Sequence, residues 1–166
     1  MKYSVIILSI ICIAAGVVLG YAMKPEISMA FETVVQNVDM TGFAPLNVSI
    51  HGTTVRLSSE CRQIAFDVTD DQALSIAKAL NISSPPRPLP HDIFVDVLEN
   101  FQIKHLTSKI DSYSEGVYYA HMVLQLGNSV LELDARPSDT LAVSLRTKTK
   151  IYMDRKILEE HGEKIC

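Results

Sequence analysis

The sequence predicts an α+β domain: a largely antiparallel or mixed β-sheet carrying three to four packed helices, preceded by one transmembrane helix. Strand-like and helix-like segments come in runs, in the order βββ-α-α-βββ-α-β-α, which is the pattern of segregated elements and not of a doubly wound parallel sheet. The strand-like segments alternate apolar and polar residues, as strands do when one face is buried and the other wet. An uncharged apolar run stands ahead of all of them.

That run, residues 4–23, is 20 residues long. At 1.5 Å per residue it matches a hydrocarbon core of about 30 Å. The competing reading is a cleaved signal peptide, because Gly20-Tyr21-Ala22 offers a small-x-small triplet, but the run is longer than the usual apolar region of about 7–15 residues. Residues 1–24 are therefore expected to anchor the chain in a membrane, with residues 25–45, mixed in Pro, Met, Asn and Gly, as a juxtamembrane linker. Lys2 and Lys24 flank the run almost evenly. The small lean is towards a single-pass protein with its amino terminus inside and its domain on the extracytoplasmic side.

The domain is expected over residues 46–160, with 161–166 as a tail. Residues 46–50 and 53–57 alternate around His51-Gly52, and Ile64, Phe66 and Val68 continue the period. Thr69-Asp70-Asp71 supplies capping groups, and Ala73, Ile76, Ala77 and Leu80 then recur at i, i+3, i+4 and i+7 of a helix. A Pro- and Ser-rich loop, residues 81–90, leads to a second helix with Ile93, Phe94, Val97, Leu98 and Phe101 at helical spacing. Residues 101–111 and 117–126 flank a turn ending in Gly116, which predicts a hairpin. Gly127-Asn128 turns the chain into residues 130–134. A helix with Leu141, Ala142 and Leu145 on one side, a strand at 151–153 and a closing helix follow.

Charge restrains the functional reading. Residues 25–166 hold 13 basic and 19 acidic residues, a net of −6, whereas nucleic-acid binders normally carry a basic footprint. Arg146, Lys148, Lys150, Arg155 and Lys156 form a local exception around residues 151–153, read equally well as a phosphate track or as a solvated rim. Cys61 and Cys166 could pair or remain free thiols, and no zinc-ligand spacing occurs. Nor is there a phosphate-binding loop, a Gly-rich dinucleotide turn or a nucleophile elbow.

The chemistry-bearing residues sit in two segments, Asp134-Ala135-Arg136-Pro137-Ser138-Asp139 and Pro86-Arg87-Pro88-Leu89-Pro90-His91-Asp92. Each joins an Arg-Pro pair to an Asp at the start of a helix, where Pro is tolerated and Ser or Asp can accept from orphan backbone donors. Two helix starts, each with a guanidinium, make an anion site. Together with residues 151–158 (IYMDRKIL), these segments resemble the bifunctional nuclease domain family over roughly residues 48–158. Pro90 stands where that family usually has Thr, and Gln72 where it usually has Glu.

The resemblance implies a nuclease acting on DNA and RNA, and a homodimer with a shared cleft. In that reading Asp134 and Asp139 would hold Mg²⁺ or Mn²⁺, with His91 as general acid or base beside Asp92. Arg87, Arg136 and Ser138 would bind the phosphate. The other reading is a non-catalytic anchored module that binds a protein partner or an anionic ligand. In it, Asp139 complements a helix dipole, Ser138 is an N-cap and Asp134 pairs with an Arg. His105 and His121 fall within strand-like segments and take no role.

Overall fold

Alternation along the strands produces two sheets. The computed structural model describes residues 38–166, so the expected membrane helix and most of the linker lie outside the described residues. Within them no helix is long and apolar enough to cross a membrane. Strands β2 (Asn47–His51), β3 (Thr54–Ser59), β4 (Arg62–Asp67) and β9 (Glu163–Lys164) form an antiparallel sheet in the order β2-β3-β4-β9. Strands β1 (Phe43–Pro45), β5 (Lys104–Ser114), β6 (Val117–Leu126), β7 (Ser129–Ala135) and β8 (Ile151–Asp154) form the other, in the order β1-β8-β5-β6-β7. In that sheet β5 and β8 run parallel and the remaining neighbours antiparallel.

Helix α1 (Asp70–Ala79) and helix α2 (Pro90–Asn100) follow the first strands, α3 (Pro137–Thr147) follows β7, and α4 (Arg155–His161) follows β8. The α+β expectation therefore holds for the described residues. The fold extends past both expected bounds, since Phe43–Pro45 pairs with β8 and Glu163–Lys164 with β4. Strands of three and two residues are too short to show a period. The hairpin is tighter than expected: Glu115 (φ 52°) and Gly116 (φ 83°) alone connect β5 to β6. Positive φ at both central residues gives the twist that a two-residue hairpin needs, which Gly adopts without cost.

The main core joins both sheets to α1, α3 and α4. Leu57, Ile76, Ile110, Leu141 and Met153 are fully enclosed in it, each worth about 1.5–3 kcal/mol by burial. A smaller cluster holds α2 on the five-stranded sheet: Val95 and Leu98 meet Met122, Leu124 and Val143. This corrects the face expected for α2. Ile93, Val97 and Phe101 are exposed, because the sheet takes the side of the helix that carries Val95 and Leu98, with Phe94 packed beside them.

His105 is satisfied inside the sheet, as a structural imidazole. Its Nδ1 pairs with Thr147 Oγ1 and its Nε2 with Ser108 Oγ, both at 2.9 Å. Burial pushes its pKa down to about 4, against a smaller raising effect from a backbone bond at Thr107. An unfolded histidine takes up a proton near pH 6.5, so below that value the unfolded state binds more protons than the native one. Stability should therefore fall as pH drops from about 6.5 towards 4, and His105→Gln should flatten that slope in urea unfolding at graded pH. Equal slopes in both proteins would show that His105 titrates normally.

Candidate functional site

The two motif segments open their helices in the same way. Leu89 and Arg136 are the N-caps, Pro90 and Pro137 the first helical residues, His91 and Ser138 the second, Asp92 and Asp139 the third. Pro costs nothing at that first position, where an N–H would have no intrahelical acceptor. The correspondence is therefore Leu-Pro-His-Asp with Arg-Pro-Ser-Asp, and Arg87-Pro88 lies ahead of the helix. Pro90 occupies a helical position and not a cap. Gln72 also caps, its side-chain oxygen accepting the Thr69 backbone N–H at 2.9 Å.

Asp92 and Asp139 belong to one network. Asp92 Oδ2 accepts the Leu89 N–H at 2.6 Å and the Lys78 ammonium at 2.7 Å, while Oδ1 accepts Arg146 Nε at 2.7 Å. Burial alone would push its pKa up, but these partners outweigh it and hold the carboxyl well below the usual carboxylate range. Arg146, 9% exposed, also donates to the Ser75 and Ala142 carbonyls and to Ser75 Oγ at 3.2 Å. At the α3 start, the Arg136 guanidinium grips both oxygens of Asp139, at 2.8 and 3.1 Å. Asp139 Oδ1 lies 3.2 Å from His91 Nε2, and His91 Nδ1 lies 2.8 Å from Ser75 Oγ.

The donors fix the protons in this chain of contacts. A guanidinium can only donate, so Ser75 Oγ accepts from Arg146; the Asp139 carboxylate can only accept, so the His91 nitrogen facing it donates and Nδ1 is left to accept the Ser75 hydrogen. A neutral His91 then carries its proton on Nε2, facing Asp139. Arg146 to Ser75 to His91 to Asp139 is one directed hydrogen-bond relay. It runs along a cavity of about 520 Å³ lined by Asp71, Gln72, Leu74, Ser75, Leu89, Pro90, His91, Arg136 and Asp139.

A second depression, about 400 Å³, borders the first at Arg136 and Asp139 and reaches Val117, Tyr118, Tyr119 and Asp134. The expected residues distribute unevenly between these surfaces. His91, Asp139 and Arg136 meet directly. Asp92 is turned into the helix interface by Arg146 and Lys78. Ser138 is buried, 5% exposed, and Arg87 is exposed with no hydrogen bond or ion pair among the described residues. Asp134 points from β7 towards His121 at 4.0 Å and is 80% exposed. Of the basic cluster around β8, Arg146 is drawn into the relay and Arg155 pairs with Glu60 at 3.0 Å, while Lys148, Lys150 and Lys156 are exposed.

The carboxylates at the helix starts are a poor cradle for Mg²⁺ or Mn²⁺ as they stand. Hard cations need carboxylate oxygens that are free of other cations, and those of Asp92 and Asp139 already face Arg146, Lys78 and Arg136. Among the described residues, the group with metal-ligand closeness is Asp111, His121 and Glu132. There the Lys109 ammonium already sits 2.7 Å from Glu132 and 3.5 Å from Asp111. Sequence reasoning missed Ser75, Lys78 and the buried role of Arg146. The usable signal for Arg146 was its position in the last turn of a helix, next to the buried run Leu141, Ala142 and Val143.

Fold and site together define an α+β domain built around two proline-started helices whose entrances present an exposed guanidinium, an imidazole and a carboxylate to open cavities. The sequence profile of the bifunctional nuclease domain matches residues 56–165, and the chain belongs to that family. It is also similar to an uncharacterized protein found in two strains of Mycobacterium tuberculosis, 29% identical over 101 residues, which covers 61% of this chain. The match spans 60% of the length of those relatives.

Proposed function

We propose that the domain is a nuclease that hydrolyses phosphodiester bonds of DNA and RNA at the start of α3. The observation that carries this reading is the placement of Arg136, 70% exposed on the border of both depressions and in direct contact with Asp139, which in turn touches His91. A phosphate arriving there competes with Asp139 for the guanidinium, which can bind it bidentately. Release from Arg136 leaves Asp139 to stabilise an imidazolium at His91, so phosphate binding and proton uptake are linked through one carboxylate. Tyr119, 44% exposed in the second depression, offers a ring face for a base. Exposed Arg87 adds attraction at the neighbouring entrance. The Mg²⁺ or Mn²⁺ expected at Asp134 and Asp139 takes no step in this reading, because Asp139 is held by Arg136 and faces His91.

A non-catalytic anchored module is the second reading, and the same neutralisation favours it, since an anion can be held there without being cut. For location, the Cys61–Cys166 disulfide supports an extracytoplasmic domain, because such bonds persist in oxidising compartments.

The test is cleavage of single- and double-stranded DNA and RNA by the full chain in detergent, with Mg²⁺, Mn²⁺ or EDTA. Loss of His91 as proton acceptor in His91→Gln should cost about 100-fold or more in rate, and Arg136→Ala should raise KM for the nucleic acid. Unchanged cleavage in both variants would move the activity to another site. Binding of nucleic acid without cleavage would favour the module.

A further inference from the structure

We propose that Ser75 is the nucleophile of this site and that Ser75, His91 and Asp139 act as a covalent-catalysis triad. The inference takes phosphodiester hydrolysis as its chemistry and so rests on the reading above, but it replaces attack by water with attack by a side chain of α1. Three residues from three helices carry it. Ser75 Oγ lies 2.8 Å from His91 Nδ1, and His91 Nε2 lies 3.2 Å from Asp139 Oδ1. Nucleophile, base and orienting carboxylate within hydrogen-bond reach are what hydroxyl activation requires.

Two further features separate this arrangement from an ordinary buried serine. The Arg146 guanidinium, 3.2 Å from Ser75 Oγ, donates to one of its two acceptor positions, while His91, its Nε2 proton held by Asp139, offers a bare Nδ1 to the hydroxyl hydrogen. The same positive charge favours an alkoxide on Oγ as the proton leaves. Ser75 is only 2% exposed as a residue, yet it lines the cavity that also contains His91, Arg136 and Asp139. A serine bonding its own helix would turn towards the carbonyl one turn back. This one bonds across to α2.

The step balances without a further reactant. Ser75 Oγ bonds to phosphorus, its proton passes to His91 Nδ1, and the bond from phosphorus to the leaving sugar oxygen breaks as that oxygen takes the proton back from Nδ1. Water then gives a proton to Nδ1 and bonds to phosphorus, the bond from phosphorus to Oγ breaks, and Ser75 recovers its proton from the imidazolium. The sum is one diester and one water giving a monoester and an alcohol. The Nε2 proton stays on His91 throughout, its hydrogen bond accepted by Asp139, and Arg136 carries the phosphate charge.

An alkyl fluorophosphonate tests the nucleophile without any nucleic acid, since Oγ displaces fluoride and leaves a stable phosphonate ester. The full chain in detergent is treated, digested and mapped by mass spectrometry, beside His91→Gln and beside heat-denatured protein. The expected result is one adduct, on Ser75, formed about 100-fold faster than in His91→Gln and absent after denaturation. Nucleic-acid cleavage by Ser75→Ala, with its fold checked by circular dichroism, forms the second arm and should be lost. The wild-type adduct needs no variant to fold. An adduct on Ser75 with no cleavage of any nucleic acid would uphold the nucleophile and overturn the nuclease reading. Cleavage that persists in Ser75→Ala, with Ser75 unlabelled, would overturn the nucleophile and leave water as the attacking group. Neither adduct nor cleavage would overturn both.

Discussion

Arg146→Met is expected to lower stability by about 2–3 kcal/mol, the cost of removing a charged donor from a partly buried, hydrogen-bonded ion pair. The side chain is 9% exposed and joins three helices: it leaves α3, bonds Asp92 at the start of α2, and bonds both the carbonyl and the hydroxyl of Ser75 in α1. Methionine fills much of the volume but supplies no donor. Asp92 would keep Lys78 and the Leu89 N–H, both on Oδ2, but Oδ1 would lose the Arg146 donor. Lys78→Met is the contrast. That ammonium is 27% exposed and has Asp92 as its single ion-pair partner among the described residues, so water can replace it and the loss should stay near 1 kcal/mol or below.

Urea unfolding of both variants reads the difference. Losses of similar size would show that Arg146 is as replaceable as the more accessible Lys78. The double variant Asp92→Asn with Arg146→Met should lose less than the two single losses added, because contacting residues are not independent. A strictly additive result would mean that the pair is not coupled. Beyond stability, Arg146 donates to both the carbonyl and the hydroxyl of Ser75, so its loss should also loosen the relay at His91.

Where a helix or strand presents one simple face, the chain announces it. Ala73 and Ile76 in α1, and Leu141 and Ala142 in α3, repeat at helical spacing and are all buried. The face of α2 was less legible because apolar residues cover more than half its circumference, and only the sheet beneath it selects Val95 and Leu98 over Ile93 and Phe101. Strands β1 and β9 exist because β8 and β4 offer free edges. Such edges form from residues about 100 positions away, and no local pattern records them.

The site divides the same way. Pro90, Asp92, Pro137 and Asp139 were legible because a helix start needs those residue types at those positions. That His91 meets Asp139 across 48 residues, and Ser75 across 16, depends on how α1, α2 and α3 pack. Asp134 differs from Asp139 for a strand reason. It belongs to β7, where alternation turns it to the side of His121 and Glu132 while its neighbour Ala135 packs against the α2 cluster. The two carboxylates therefore border the same depression from different elements, Asp134 from a strand and Asp139 from a helix start.

The Cys61–Cys166 bond is the other contact expected to dominate stability. It closes a loop with a sequence separation of 105, for which chain-entropy reasoning gives about 4.7 kcal/mol per 100-residue loop as an upper figure. Little else holds the end of the chain. Strand β9 is two residues long, both exposed, and pairs only with Arg62 and Gln63, extended by one bond from the Ile165 N–H to the Cys61 carbonyl. Gly162 adds a carbonyl bond from Arg62 at 2.9 Å. Reduction should therefore free β9 and cost about 2–5 kcal/mol, read as a lower midpoint in urea with dithiothreitol than without it. The Cys61→Ser, Cys166→Ser double variant should match the reduced wild type and no longer respond to the reductant. Midpoints that coincide in oxidised and reduced wild type would show that β9 pairing alone fixes the carboxyl terminus. The relay at Ser75, His91 and Asp139 involves neither β4 nor β9, so nucleic-acid cleavage below the unfolding midpoint should survive reduction, separating the bond's role in stability from the chemistry of the helix starts.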